Sequence, residues 1–163
     1  MKDLGLLALR VTTGGLLAGH GAQKLFGAFD GPGLQGTQGF MESLGLRPGK
    51  YWGTAGLSEA SGILTALGLL HPLGPIGTAS AMTMATAKAH WGKAIWVTSG
   101  GAELPVTNIA TALALMLTGP GKYSLDRAFG IRLPRPVVAA AILAAVPAVA
   151  YGIVNPAADQ QSG

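Results

Sequence analysis

The sequence contains no cysteine. Disulfides, thiolate metal sites and dithiol redox relays are therefore excluded within the chain. Charge is scarce as well: Asp, Glu, Lys and Arg make up 11% of the residues, against about 25% in an ordinary soluble domain. Aromatics amount to only 6%. There is no basic stripe, so the net charge of +4 does not point to nucleic acid. The basic residues stand singly at the ends of apolar runs, where they act as anchors. There is no Gly-X-Y period and no internal repeat, which removes collagen. The apolar runs are too long for a disordered chain.

What remains is apolar and small. Glycine accounts for 26 of the 163 residues, and mean hydropathy is positive. That mixture suits helices packed closely in a membrane, where small residues let backbones approach. The expected fold is an all-α membrane protein: a four-helix transmembrane bundle plus a fifth C-terminal span. A span needs about 20 mostly apolar residues. The first runs from Leu4 to about Phe26. Arg10 interrupts it and no small-x-small cleavage site follows, so it reads as uncleaved rather than as a signal peptide. Asp30 to Gln38 reads as a polar loop, and Gly39 to Leu46 as a short interfacial helix ended by Arg47-Pro48-Gly49.

The second span runs from Tyr51 to Leu70, the third from Ile76 to His90 and the fourth from Glu103 to Leu117. His71-Pro72 and Gly119-Pro120-Gly121 mark turns. In domain terms, residues 1–126 form the four-helix core, 127–136 a basic loop, 137–154 the added span and 155–163 a loose tail. Lys/Arg bias ties at five on each side. The dense loop with Lys122, Arg127, Arg132 and Arg135 favours an N-terminus inside.

Ionisable residues within spans are costly and face the bundle interior. Here they are Arg10, His20, Lys24, Glu59, His90 and Glu103. On a helical wheel Arg10, His20 and Lys24 share a face of the first span, with Gly15 and Gly19 opposite as a close-packing edge. Alternation of spans puts Lys24, His90 and Glu103 at one mouth of the bundle, with His20 and Glu59 just below. Arg10 lies deeper, roughly 12–15 Å from Glu59. The plain alternative is that these groups only fix helix register. Two histidines and two carboxylates also suit proton transfer near neutral pH. No metal is expected, since His20 and His90 lack local ligand-pair spacing. Trp91 and Trp96 read as an aromatic belt, and Met82 and Met84 as packing.

The run Arg10-x3-Gly14-x5-His20-Gly21-x-Gln23-Lys24-Leu25-Phe26-Gly27 closely resembles the opening of the DoxX family of small bacterial membrane proteins. Glu59 with Gly62, His90, Gly100-Gly101-Ala102-Glu103-Leu104-Pro105 and Gly119 to Asp126 follow in the order that the resemblance requires. The fifth apolar stretch departs from the family pattern. The resemblance implies a four-helix core in the bacterial plasma membrane. It also implies a link to quinone reduction or to a membrane complex handling oxidative stress.

The leading expectation is a redox subunit that binds a quinone and takes electrons from a partner protein, either membrane-bound or peripheral. His20 and His90 would contact the carbonyls. Lys24 or Arg10 would hold negative charge, and Glu59 and Glu103 would relay protons. The alternatives are a non-enzymatic scaffold, docking a partner through Lys122 to Arg135, and a small-solute transporter, for which a homo-oligomer is expected.

Overall fold

The computed structural model describes residues 1–44 and 51–154. The Arg47-Pro48-Gly49 break and the tail 155–163 lie outside the described residues. Among those described, the chain is all helical, with no strand. Seven α-helices follow in order: α1 Lys2–Phe26, α2 Gly33–Ser43, α3 Tyr51–Leu67, α4 Leu73–Ala89, α5 Glu103–Thr118, α6 Leu125–Phe129 and α7 Arg135–Val154. Helices α1, α3, α4 and α5 pack as a ring: α1 on α3, α3 on α4, α4 on α5, and α5 back on α1. Helix α2 lies against α1, and α7 lies outside the ring against α4.

The α1–α3 contact is the tightest, because both helices present glycine to each other. Gly14 lies against the Gly62 carbonyl and the backbone of Ala66, and Gly62 against the backbone of Ala18. A Cβ at either glycine would collide with main chain. The buried stripe of α1 is therefore Leu6, Arg10, Thr13, Gly14, Leu17 and Gly21. This corrects the expected packing edge, since Gly15 and Gly19 have nothing against them. Adjacent glycines at 14 and 15 differ by about 100° on the helix, and the partner's small residues choose between them.

Other boundaries moved for local reasons. Helix α2 begins six residues earlier than the sequence suggests, directly after Pro32. Its Thr37 hydroxyl donates to the Lys24 carbonyl (3.2 Å), which pins the glycine-rich turn onto α1. Helix α4 begins at Leu73 with Pro75 in its first turn, where a missing N–H costs nothing. The basic loop contains α6, capped at Ser124 by the Arg127 N–H and closed by Gly130 at φ 65°.

Burial is inverted relative to a soluble domain. Arg10, Thr13, Ser61, Thr65, Thr78 and Asp126 are buried beside Leu6, Leu17, Ile76 and Leu115. Meanwhile Leu16, Leu104, Leu117, Leu143 and Val146 are exposed. Length narrows the expected set of spans. Among the described residues only α7 is both long and apolar enough to cross a membrane, with mean hydropathy 2.4. Helices α3, α4 and α5 have 16 or 17 residues.

Candidate functional site

The ring has two ends, and the ionisable residues divide between them. At the end marked by Phe26, each polar group is held mainly by its own neighbourhood. His20 is exposed, and its Nδ1 shares a hydrogen bond with Gln23 Oε1 at 2.9 Å. His90 Nδ1 donates to the Gly100 carbonyl at 2.6 Å, because a carbonyl only accepts. In the neutral ring, Nε2 then carries the lone pair. Glu103 Oε2 accepts the Val97 N–H at 2.9 Å, and the Glu103 N–H donates to the Ile95 carbonyl. His90 and Glu103 thus fold the connection between α4 and α5 back on itself. That connection exposes Trp91 and Trp96.

Glu59 behaves differently. It sits on α3 against Gly21 of α1, where a Cβ would meet its own Cβ. Its Oε2 is buried, and no donor among the described residues reaches it. Lys24 is half-buried in the last turn of α1, one turn nearer the end. Similar depth along α1 and α3 does not pair His20 with Glu59: His20 turns to Gln23.

Arg10 belongs to the opposite end, which corrects its grouping with the others. Its guanidinium lies beside Gly68, where a Cβ would overlap Nη1. Gly68 has φ +61 and follows the last residue of α3. Nη1 donates to the Ala66 carbonyl at 3.0 Å and Nη2 to the Tyr123 carbonyl at 2.7 Å. The Ala66 carbonyl lies in the last turn of α3, where the helix dipole favours a cation. Along α3, Ala66 is seven residues from Glu59, so the two charged groups are separated by roughly 10 Å of helix. That is somewhat less than the roughly 12–15 Å expected from the sequence, and in the same direction.

Two residues that sequence reasoning passed over complete this end. Asp126, buried at the start of α6, accepts the Leu70 N–H through Oδ1 and the His71 N–H through Oδ2, both at 2.8 Å. The Asp126 N–H donates in return to the Gly68 carbonyl at 3.1 Å. His71, in the turn between α3 and α4, has its imidazole held below the ordinary value of 6.5 by burial. The Asp126 charge and a hydrogen bond to the Met116 carbonyl oppose that shift, and the Arg10 charge adds to it. The signal for this pairing was available: alternating spans bring the His71 turn and the Gly119 turn to the same end.

Both cavities described here lie at this end. One, of about 10 Å³, is lined by Arg10, Thr65, Gly68, His71, Pro75 and Leu115, about the space of one water. Arg10 Nε and Thr65 Oγ1 are buried beside it without a partner among the described residues. The other, of about 360 Å³, opens between the His71 turn and α6 with the segment after it. No group of three or more metal-ligating side chains occurs among the described residues.

A family model described as DoxX matches residues 5–91, just over half of the chain. No curated protein and no solved structure matches it. The matched stretch contains Arg10, His20, Lys24, Glu59, His71 and His90, and stops before Glu103 and Asp126.

Proposed function

The chain belongs to the DoxX family, and from that premise we propose a membrane-embedded redox subunit that binds a quinone and works with an electron-donating partner protein. The inverted burial supports a lipid setting. Exposed leucines and valines cover the outside while hydroxyls, Arg10 and Asp126 fill the inside. Helix α1, at 25 residues, is about 37 Å long and suffices for a span once Arg10 is enclosed. In this reading α1, α3, α4 and α5 cross the bacterial plasma membrane with α7 as a fifth span.

The observation that carries the redox reading is Glu59. A carboxyl oxygen buried between helices with no donor among the described residues is a polar group still open to a ligand or to a proton in transit. Reduction of a quinone consumes two electrons, delivered by the partner, and two protons. Both protons would come from water at the Phe26 end, passed inward one after the other through Glu103 and Glu59, each carboxyl regaining its proton from the solvent side. His90, with Nδ1 committed to Gly100, leaves Nε2 available to an oxygen of the quinone ring. His20 and Lys24 stand close by on α1 as the polar contacts for the ring carbonyls.

Quinone binding to the purified chain, followed by fluorescence quenching of Trp91 and Trp96, tests this reading. Wild type should bind, and Glu59→Gln should retain binding while slowing quinone reduction by the reconstituted complex. Undiminished binding after joint replacement of His20 and His90 by alanine would remove the site.

A second reading, a non-enzymatic membrane scaffold, is favoured by one observation. His20, His90 and Glu103 each already have a partner close in sequence. A partner protein that co-purifies without any bound small molecule, and whose activity ignores Glu59→Gln, would establish it.

A further inference from the structure

The larger cavity lies at the Arg10 end, away from His20, Lys24, Glu59, His90 and Glu103. It measures about 360 Å³ and is lined by His71, Gly121, Asp126, Arg127, Ile131 and Arg132, among others. Its two arginines come from α6 and the segment after it, and both are exposed. From Lys122 to Arg135 the chain carries four cations and a single acid, Asp126. That acid is already engaged, since both carboxylate oxygens accept backbone N–H groups of the preceding turn. Asp3, the other acid at this end, accepts the Lys122 N–H through Oδ1 at 2.8 Å. Against these two acids stand Lys2, Lys122, Arg127, Arg132 and Arg135, so the balance of this end is positive.

Position adds a second argument. Among the described residues, α7 is the helix with the length and apolarity of a span, and it starts at Arg135. A bilayer that accepts α7 puts its headgroup layer at Arg135, beside Arg132 and the cavity. Phe129 (71% exposed) directly precedes the lining residue Gly130, Tyr123 (53%) lies two residues after Gly121, and Leu117 (87%) lies three before Pro120. Aromatic rings with apolar surface beside cations are what an interface with lipid favours. A soluble anion would use the arginines and leave the apolar rim without a role.

We propose that this cavity receives the phosphate-bearing headgroup of an anionic phospholipid, gripped by Arg127 and Arg132, with its acyl chains passing over the Phe129 side. The inference rests on the membrane setting of the chain but not on quinone chemistry. Bound lipid would tie the α3–α4 turn to α6 from outside, across the surface that Asp126 ties from within.

The test is native mass spectrometry of the full-length chain released from a mild detergent containing equal phosphatidylglycerol and phosphatidylcholine. Wild type should retain phosphatidylglycerol preferentially. Arg127→Gln and Arg132→Gln should each weaken that preference about fivefold, and Arg132→Lys should restore part of it. Lys93→Gln, at the other end, should change nothing. Both arginines are exposed, and an unchanged thermal melt shows that the variants still fold. Preference that survives the double arginine variant overturns the site. Millimolar inorganic phosphate that displaces the lipid completely would make the ligand a free phosphate and overturn the lipid assignment. A protein captured through the same arginines in place of lipid would overturn it equally. Flotation with liposomes separates these failures from the broader one: a chain that does not float with vesicles fails the membrane reading itself.

Discussion

The two ends of the ring use the same kinds of residue for different ends. At the Phe26 end, His20, His90 and Glu103 bond to atoms three to ten residues away in sequence. At the other end, Arg10 and Asp126 reach across 55 to 113 residues. Short-range bonds shape a loop and cost little to lose. Long-range bonds join elements, and each lost partner leaves a buried polar group behind. Stability therefore belongs to the Arg10 end, and the freedom to exchange partners belongs to the Phe26 end.

Substitutions that break this contrast are ordered by expected effect. Arg10→Met removes two charge-assisted bonds and leaves the Tyr123 and Ala66 carbonyls without their donor. It should cost about 3 kcal/mol, read as a fall in the melting temperature of the detergent-solubilised chain. Gly62→Val forces the α1 and α3 backbones apart and should cost about 2 kcal/mol, with loss of the native elution profile as a second readout. Asp126→Asn keeps one acceptor and loses the charge, so about 1.5 kcal/mol is expected. His20→Ala, at the exposed end, should stay within about 0.5 kcal/mol. An equal response to His20→Ala and Arg10→Met would erase the distinction.

Acidification sharpens the same contrast. Burial lowers the His71 value in the folded chain, so the unfolded chain binds its proton first as pH falls. Stability should hold above the ordinary value of 6.5 and decline below it, until the folded-state value is passed. His71→Gln should flatten that part of the melting-temperature profile. A decline unchanged in His71→Gln would assign the effect elsewhere.

Much of this was legible in the residues. Helix limits at Phe26, Glu103 and Val154 follow from apolar runs bounded by glycine, proline or charge, and α1, α5 and α7 occupy nearly those limits. The depth of Arg10 relative to Glu59 followed from helical rise alone. The partners of Arg10 did not follow, because main-chain carbonyls compete for cations and leave no mark in a sequence. Arg10 was expected among side chains and is held by the carbonyls of Ala66 and Tyr123. Asp126 looked like a turn residue, and its role depends on a loop 55 residues earlier. The choice of Gly14 over Gly15 likewise rests on Gly62, a residue of another helix.

The distance between Arg10 and its second acceptor bears on how the chain is made. The guanidinium enters with the first helix, yet the Tyr123 carbonyl emerges 113 residues later. Throughout synthesis of α2 to α5 this cation has at most half of its final coordination. Until the Tyr123 segment is made, the buried guanidinium has at most the Ala66 carbonyl as a partner. The first helix is therefore fully seated only once the chain around Tyr123 folds back onto it.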